Sequence, residues 1–141
     1  MRVAVLVRTA RPGIRPDRLR RVVRHVLRRA GAPQHAEITV ALVTDAAIRR
    51  LNRRFLGRDR PTDVLAFPLG PRGSGDVAIS VPRARVQARQ AGHPVSVELA
   101  LLAAHGALHL LGHDDRRPRQ REAMMRRQRA LLGELGIEVR G

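Results

Sequence analysis

Residues 96–115 read SVELALLAAHGALHLLGHDD and are the most informative stretch of the 141-residue chain. From Val97 to Leu111 this stretch is almost wholly apolar, which is typical of a buried helix. Ser96 is a residue type that caps a helix N-terminus, and Gly112 is the type that ends a helix with a left-handed turn. The sequence therefore predicts a long apolar helix from Val97 to about Leu111.

Two histidines in this helix are spaced as metal ligands. His105 and His109 are four residues apart, so both imidazoles project from one face of the helix about one turn apart. The turn at Gly112 brings the next residues back toward the same point, where Asp115 is placed to supply a third ligand. Residues 113 and 114 also offer nitrogen or oxygen donors, and the residues alone leave open which of the three donates. Three protein ligands and an open position are typical of catalytic zinc, and the alternative interpretation is a pair of core histidines.

The spacing of these donors is similar to that of the metzincin metalloproteases. Those enzymes carry a glutamate directly after the first histidine as the general base. Here that position is Gly106. Because no carboxylate is present there to activate water, the sequence argues against a peptidase.

The rest of the chain mixes strand and helix patterns. Short β-branched or apolar runs predict strands at residues 2–8, 37–43, 64–67 and 76–81. Helical spacing of apolar residues predicts helices at 16–30, 44–54 with Thr44 as N-cap, 82–90 and 118–132. We expect one α/β (α+β) domain over residues 1–141, with a small mixed sheet of about four strands and about five helices. The irregular order of elements argues against a regular doubly wound sheet.

The chain is strongly basic, with 28 basic residues against 12 acidic ones and a formal charge of +16. All of the basic residues are arginine, which a GC-rich coding bias would favour over lysine. Such a bias should raise acidic residues as readily as basic ones, so it does not account for the net charge. The charge therefore indicates a polyanionic partner, with RNA or DNA as the first candidates.

The composition also excludes several classes of protein and site. The absence of cysteine excludes disulfide frameworks, thiolate metal sites and cysteine nucleophiles. Two phenylalanines, with no tyrosine or tryptophan, argue against aromatic platforms that stack single-stranded bases. No segment approaches the roughly 20 apolar residues of a membrane span, and no secretory signal is evident. We expect a soluble cytoplasmic protein with no membrane partner.

The chain carries three motif blocks, which read HGALHLLGHDD at 105–115, LNRRFLGRDRPTDVLAFP at 51–68 and GDVAIS at 75–80. The first resembles the H-G-x-L-H-L-x-G-[YH]-D-H signature of the YbeY endoribonucleases, also called rRNA maturation factors. The second and third are similar to the L-N-x-x-[YF]-R-G-x-D-x-P-T-D-V-L-S-F-P block and the G-D-I-x-I-S strand of that family. The order and separation of the blocks agree over about residues 40–115.

This resemblance implies a single α/β domain in which the three signature ligands hold one zinc ion. It implies metal-dependent cleavage of single-stranded RNA, with a role in maturing the 3′ end of small-subunit rRNA and in ribosome quality control. The implied partners are rRNA and the small ribosomal subunit. A rival hypothesis is a non-catalytic zinc-containing ribosome-binding factor, and a more remote one is a small-substrate hydrolase with a deep enclosed pocket.

Two departures from the family pattern bear on the site. The third family histidine falls on position 115, where this chain has Asp115. Aspartate binds zinc through oxygen, so the predicted ligands are His105, His109 and Asp115. His113 is the competing third ligand, but the family often carries tyrosine there. The second departure is Leu56, where the family usually carries an arginine that is a candidate phosphate contact.

Other residues near the motifs have less specific predicted roles. Arg54, Arg58 and Arg60 are the candidates to replace the family arginine. Arg58 is the best nearby cation to neutralise a phosphate, with a solvated loop charge as the alternative. Asp114 is a candidate proton acceptor or a partner that orients a ligand histidine. Asp63 and Asp76 are interpreted as turn caps, so the sequence provides no clear general base.

Overall fold

Four strands form one sheet in the computed structural model, which describes residues 1–141. They are Arg2–Val7 (β1), Glu37–Val43 (β2), Val64–Pro68 (β3) and Gly75–Ser80 (β4). The order is β1-β2-β4-β3, in which β1, β2 and β4 are parallel and β3 is antiparallel to β4. Since β3 and β4 are joined by a short connection, they pair as an antiparallel hairpin. The prediction of a small mixed sheet is confirmed.

Five helices connect and cover these strands, as the sequence predicts. They are Pro16–Arg29 (α1), Asp45–Leu56 (α2), Val81–Ala91 (α3), Val95–Leu110 (α4) and Pro118–Gly133 (α5). The predicted cap of α2 is confirmed, because the Thr44 hydroxyl accepts a hydrogen bond from the Ala47 amide. None of the five helices combines the length and the apolar character that crossing a bilayer requires.

Helix α4 lies at the centre of the fold. It contacts α1, α3 and α5 as well as strands β3 and β4. Its side chains at Leu99, Ala103 and Leu108 are completely buried. A helix that is apolar on all sides is stable in water only when neighbours surround it, so the composition of α4 explains its position.

The predicted N-cap of α4 is wrong. The helix begins at Val95, and its N-cap is Pro94, whose carbonyl accepts hydrogen bonds from the amides of Val97 and Glu98 at 3.0 and 3.3 Å. The proline ring fixes φ, and here Pro94 has φ of −62° and an extended ψ of 153°, which lets the chain enter a helix at the next residue. Ser96 therefore lies inside the first turn and caps nothing.

The two faces of the sheet are covered by different helices. On one face, Val40 and Ile79 share the main core with Leu99 and Leu108 of α4. On the other face, a smaller cluster includes Ile48 of α2 with side chains of β2, β3 and β4. Because β3 is an edge strand between these helices, the end of α2, strand β3 and the last turns of α4 meet at one side of the molecule.

Gly106 sets how closely α4 approaches the sheet. A Cβ atom at this position would lie 2.6 Å and 2.9 Å from the two methyl groups of Val77, a completely buried residue of β4. These distances are shorter than van der Waals contact, so any side chain would push helix and strand apart. The position at which a metzincin carries its glutamate therefore has no room for one here.

We expect Gly106→Ala to lower the free energy of unfolding by about 1–2 kcal/mol, because an overpacking cost of about 1–3 kcal/mol exceeds the helix-propensity gain of alanine. The matched control is Gly133→Ala in α5, where nothing lies within 4 Å of the added Cβ. That control should be neutral or stabilising by up to about 1 kcal/mol. Urea unfolding of both variants measures the difference, and equal stabilities would contradict close packing at Gly106.

Candidate metal centre

His105 and His109 lie side by side on the last turns of α4, and Asp115 approaches both. The two Nε2 atoms are 3.1 Å apart, and Asp115 Oδ2 lies 3.3 Å from that of His105 and 3.4 Å from that of His109. Gly112, with a φ of 95°, allows the chain to reverse after α4 and return Asp115 to the histidines. The structure thus brings the three predicted ligands together.

The spacing of these three atoms fits a single metal ion. Tetrahedral ligands about 2.0–2.2 Å from zinc are separated by about 3.3–3.6 Å from one another, and the distances of 3.1, 3.3 and 3.4 Å between the three donor atoms lie close to this range. Two imidazole nitrogens and one carboxylate oxygen are also a donor set that zinc accepts. No other histidine, aspartate or glutamate joins the group, so the protein supplies three ligand atoms and leaves one side free.

Gln128 holds the ring of His105 in the orientation that ligation needs. The Nδ1–H of His105 donates to Gln128 Oε1 at 2.8 Å, and Gln128 is a buried residue of α5 with 1% exposure. With Nδ1 protonated, the lone pair of a neutral imidazole is on Nε2, which faces His109 and Asp115. Gln128 is not among the residues predicted from the sequence, although it is a polar residue at helical spacing between the apolar Met124 and Leu131 of α5.

The three residues lie in an open cleft of about 370 Å³. The side chains of His105, His109 and Asp115 are 22%, 30% and 32% exposed, respectively. The opposite walls come from the end of α2 and from β3, and they are partly apolar, with Leu56, Asp63, Val64, Leu65, Ala66 and Pro68. No arginine lines the cleft, so Arg58 and the other arginines of the chain lie outside its lining.

Asp63 has both a structural position and access to the cleft. Its Oδ1 accepts a hydrogen bond from the Val64 amide at 2.8 Å, and its Oδ2 accepts one from Gln87 at 3.3 Å. These bonds hold Asp63 at the bend before β3, and the same residue also lines the cleft, a position that was not predicted from the sequence. Asp76 lies inside β4, so its interpretation as a turn cap is wrong.

Asp114 and His113 lie in the loop after α4, outside the group of three. Both carboxylate oxygens of Asp114 bond to Arg116, at 3.0 Å from its amide and 2.8 Å from its Nε. These contacts hold the pKa of Asp114 at about 2. Desolvation lowers the pKa of His113 from its ordinary value, and the positive charges of Arg127 and Arg72 lower it further. Their roles in proton transfer and metal binding stay predictions.

Leu56 and Arg58 differ in whether they line the cleft. Leu56, the last residue of α2, lines the cleft and is 52% exposed. Gly57 then ends the helix with a φ of 69°, and the exposed Arg58 follows outside the lining. The role of Arg58 as a phosphate contact therefore stays a prediction.

Comparison with known proteins identifies a family for most of the chain. The family model described as endoribonuclease YbeY matches residues 7–136. A protein named endoribonuclease YbeY from Solibacter usitatus is 52% identical over 104 residues, which cover 73% of this chain and 68% of that protein. A protein of the same name from Myxococcus xanthus is 47% identical over 109 residues, 72% of this chain. The match spans only 37% of the length of that second relative.

A solved structure shares the fold. The solution structure of TM1509 from Thermotoga maritima aligns with a TM-score of 0.66 and 24% sequence identity, over 95% of this chain and 91% of that one. At this identity the likeness concerns the fold alone, and it agrees with the arrangement of strands and helices described above.

Proposed function

This chain belongs to the endoribonuclease YbeY family, and from that premise we propose that it is a zinc-dependent endoribonuclease that cleaves single-stranded RNA. The proposed substrate is the 3′ end of small-subunit rRNA, with a further role in ribosome quality control on the small subunit. We propose that residues 1–141 act as one metal-dependent domain in the cytoplasm. Each of these points extends the family assignment to this particular chain.

The observation that carries the proposal is the group formed by His105, His109 and Asp115 in an open cleft. Three donor atoms 3.1–3.4 Å apart fit one tetrahedral metal ion. Since no fourth protein ligand joins them, one coordination position would face the cleft. An open position supports a catalytic ion, whereas structural zinc sites usually have four protein ligands.

Different residues of the chain have different roles in the proposed reaction. A bound zinc ion supplies Lewis acidity toward a phosphoryl oxygen and lowers the pKa of bound water. His105, His109 and Asp115 would hold the ion, and Gln128 keeps the His105 lone pair directed at it. Asp63 is the carboxylate of the cleft outside the three ligands. Hydrogen bonds from Val64, Gln87 and Thr62 fix its position, and a remaining lone pair would orient a water molecule or a ribose hydroxyl.

Two further residues are proposed to act around the cleft. Arg58 would neutralise phosphate charge as the RNA approaches, since its side chain makes no ion pair within the protein and it is exposed. Asp114 would act chiefly on the loop that carries Asp115, because Arg116 occupies both of its oxygens. This arrangement favours a role for Asp114 in orienting the loop that carries Asp115, rather than in proton transfer.

One observation favours the rival function, a non-catalytic rRNA-binding assembly factor with structural zinc. The cleft wall facing the histidines includes the apolar Leu56 and no arginine. A site that stabilises the charge of phosphoryl transfer usually places cations beside the reacting phosphate. In the enzyme, Arg58 would have to reach the bound phosphate from outside the lining.

Metal removal distinguishes the two functions. We expect the purified zinc-loaded protein to cleave a labelled unstructured RNA, and chelation to lower the rate at least about a hundredfold, because metal charge stabilisation is worth several kcal/mol. Added zinc should restore the rate. Gel analysis of the products measures both steps, and cleavage that persists in metal-free protein would exclude the metal mechanism. Zinc binding without any cleavage would favour the assembly factor.

A further inference from the structure

One exposed side of α1 carries a row of arginines. Arg21, Arg24 and Arg28 follow each other at spacings of three and four residues, so they project from one side of the helix. With a rise of 1.5 Å per residue, the row extends about 10 Å along the helix axis. All three residues are exposed.

These three arginines have no partner within the protein. Their guanidinium groups form no hydrogen bond or ion pair, whereas the acids beside them are already engaged. Asp17 bonds to Arg20 at 2.8 Å, and Glu134 bonds to Arg29 at 3.2 Å. Like charges at these spacings destabilise a helix, so the row lowers the stability of α1 without any compensating contact.

The row forms a wall of a surface groove of about 600 Å³. Arg20, His25 and Leu135 complete most of the lining, and its single acidic residue is the Asp17 already bonded to Arg20. The groove shares no residue with the metal cleft. It is therefore a separate positively charged surface on the same domain.

Coding bias does not explain this surface. Such a bias replaces lysine by arginine, but it leaves acidic residues in place to pair with the arginines. Pairing occurs elsewhere in the chain, for example between Arg49 and Asp59 at 2.8 Å and between Arg116 and Asp114 at 2.7 Å. On α1 the one acid on the side of the row, Asp17, is bonded to Arg20, which leaves the guanidinium groups of the row available to an external anion.

We propose that Arg21, Arg24 and Arg28 bind the phosphate backbone of an RNA strand outside the metal cleft. The planar guanidinium group donates paired hydrogen bonds to a phosphate, and a row of such groups matches a chain of phosphates more closely than a single anion. The contact is independent of base identity, so it adds affinity without sequence preference. This inference rests on the proposed function insofar as the polyanion is RNA.

The test compares two variants that lose the same charge. Arg21, Arg24 and Arg28 are replaced together by glutamine, and the control replaces Arg50, Arg89 and Arg119, which are exposed residues of α2, α3 and α5 with no side-chain bonds. Binding of a fluorescein-labelled 20-nucleotide oligouridylate is followed by anisotropy at several salt concentrations. Chelator is present throughout, so that cleavage does not affect the measurement.

We expect the α1 triple variant to bind about ten- to a hundredfold more weakly near 0.1 M salt. The slope of log K against log salt should fall by about 2, since each lost phosphate contact on a single strand removes about 0.7. The control should change the slope by less than half as much. Equal changes in both variants, or an unchanged slope in the α1 variant, would overturn the inference.

The outcome is separable from that of the proposed function. Zinc-dependent cleavage is measured on the same preparations with a substrate at saturating concentration, where a binding defect no longer limits the rate. Intact cleavage with an unchanged salt slope would overturn only the α1 surface. A reduced slope in the α1 variant, together with no cleavage by the unaltered protein, would support the RNA-binding surface and contradict the nuclease.

Discussion

Replacing His105 by alanine is expected to remove the bound metal and RNA cleavage together. The imidazole supplies one of three ligand atoms, and the two that remain, from His109 and Asp115, are 3.4 Å apart and too few to retain zinc against dilution. Metal analysis after gel filtration should fall from about one zinc per chain to a trace. The cleavage rate should fall at least about a thousandfold, because metal-assisted stabilisation of phosphoryl charge is lost entirely.

A graded control for this variant is Gln128→Leu, which keeps all three ligand atoms. It removes the acceptor of the His105 Nδ1–H bond, so the ring is no longer held in one tautomer and orientation. Such partners typically contribute 10- to 100-fold in metal affinity, and an intermediate loss is expected. Urea unfolding of both variants checks that the fold persists. If His105→Ala retained full nuclease activity without zinc, the metal site would have no part in catalysis.

Much of the fold follows from local sequence patterns. The apolar run of α4 predicts its burial, and the Thr44 hydroxyl caps α2 where the sequence places it. The start of α4 was not predictable from cap preference alone. Ser96 is the better cap by residue type, but the geometry of proline makes Pro94 the N-cap and the helix begins at Val95. The order of the strands depends on long-range packing, so the position of β3 at the sheet edge could not be read from periodicity.

The candidate site likewise contains residues that could be predicted from the sequence and residues that could not. His105 and His109 are related by helix geometry, and Gly112 makes the return of Asp115 foreseeable, so these three are accessible to sequence reasoning. The partner of His105 is not, because Gln128 is 23 residues away on another helix. Asp63 reaches the cleft only because β3 pairs with β4 and packs against α4.

The aromatic residues show the limit of arguments from composition. Two phenylalanines are few, and their number argues against a stacking platform. The fold nevertheless brings Phe55 and Phe67 together, with ring centroids 5.3 Å apart, and leaves Phe55 57% exposed beside the cleft residue Leu56. Residue counts set what a chain can contain, whereas tertiary structure decides what those residues form.

The identity of the third ligand gives the second large expected effect. We expect Asp115→Ala to lose zinc and cleavage to the same extent as His105→Ala, since Asp115 Oδ2 lies within 3.4 Å of both histidine nitrogens. His113→Ala is the matched control, because His113 is two residues away and does not belong to the group of donors. It should retain about one zinc per chain and a cleavage rate within about threefold of the unaltered protein, as expected for a side chain outside the reacting centre.

A third variant tests whether position 115 acts through ligation. Asp115→His exchanges an oxygen donor for a nitrogen donor that zinc also accepts, so zinc content should be recovered relative to Asp115→Ala. If zinc content is recovered with histidine but not with alanine at position 115, the residue there acts as a metal ligand. A residue that only stabilised the loop would not need a metal-binding side chain. Loss of zinc in His113→Ala with retention in Asp115→Ala would instead assign the third ligand to His113. In that case the loop after Gly112 would have to turn one imidazole inward and release Asp115 from the two histidines.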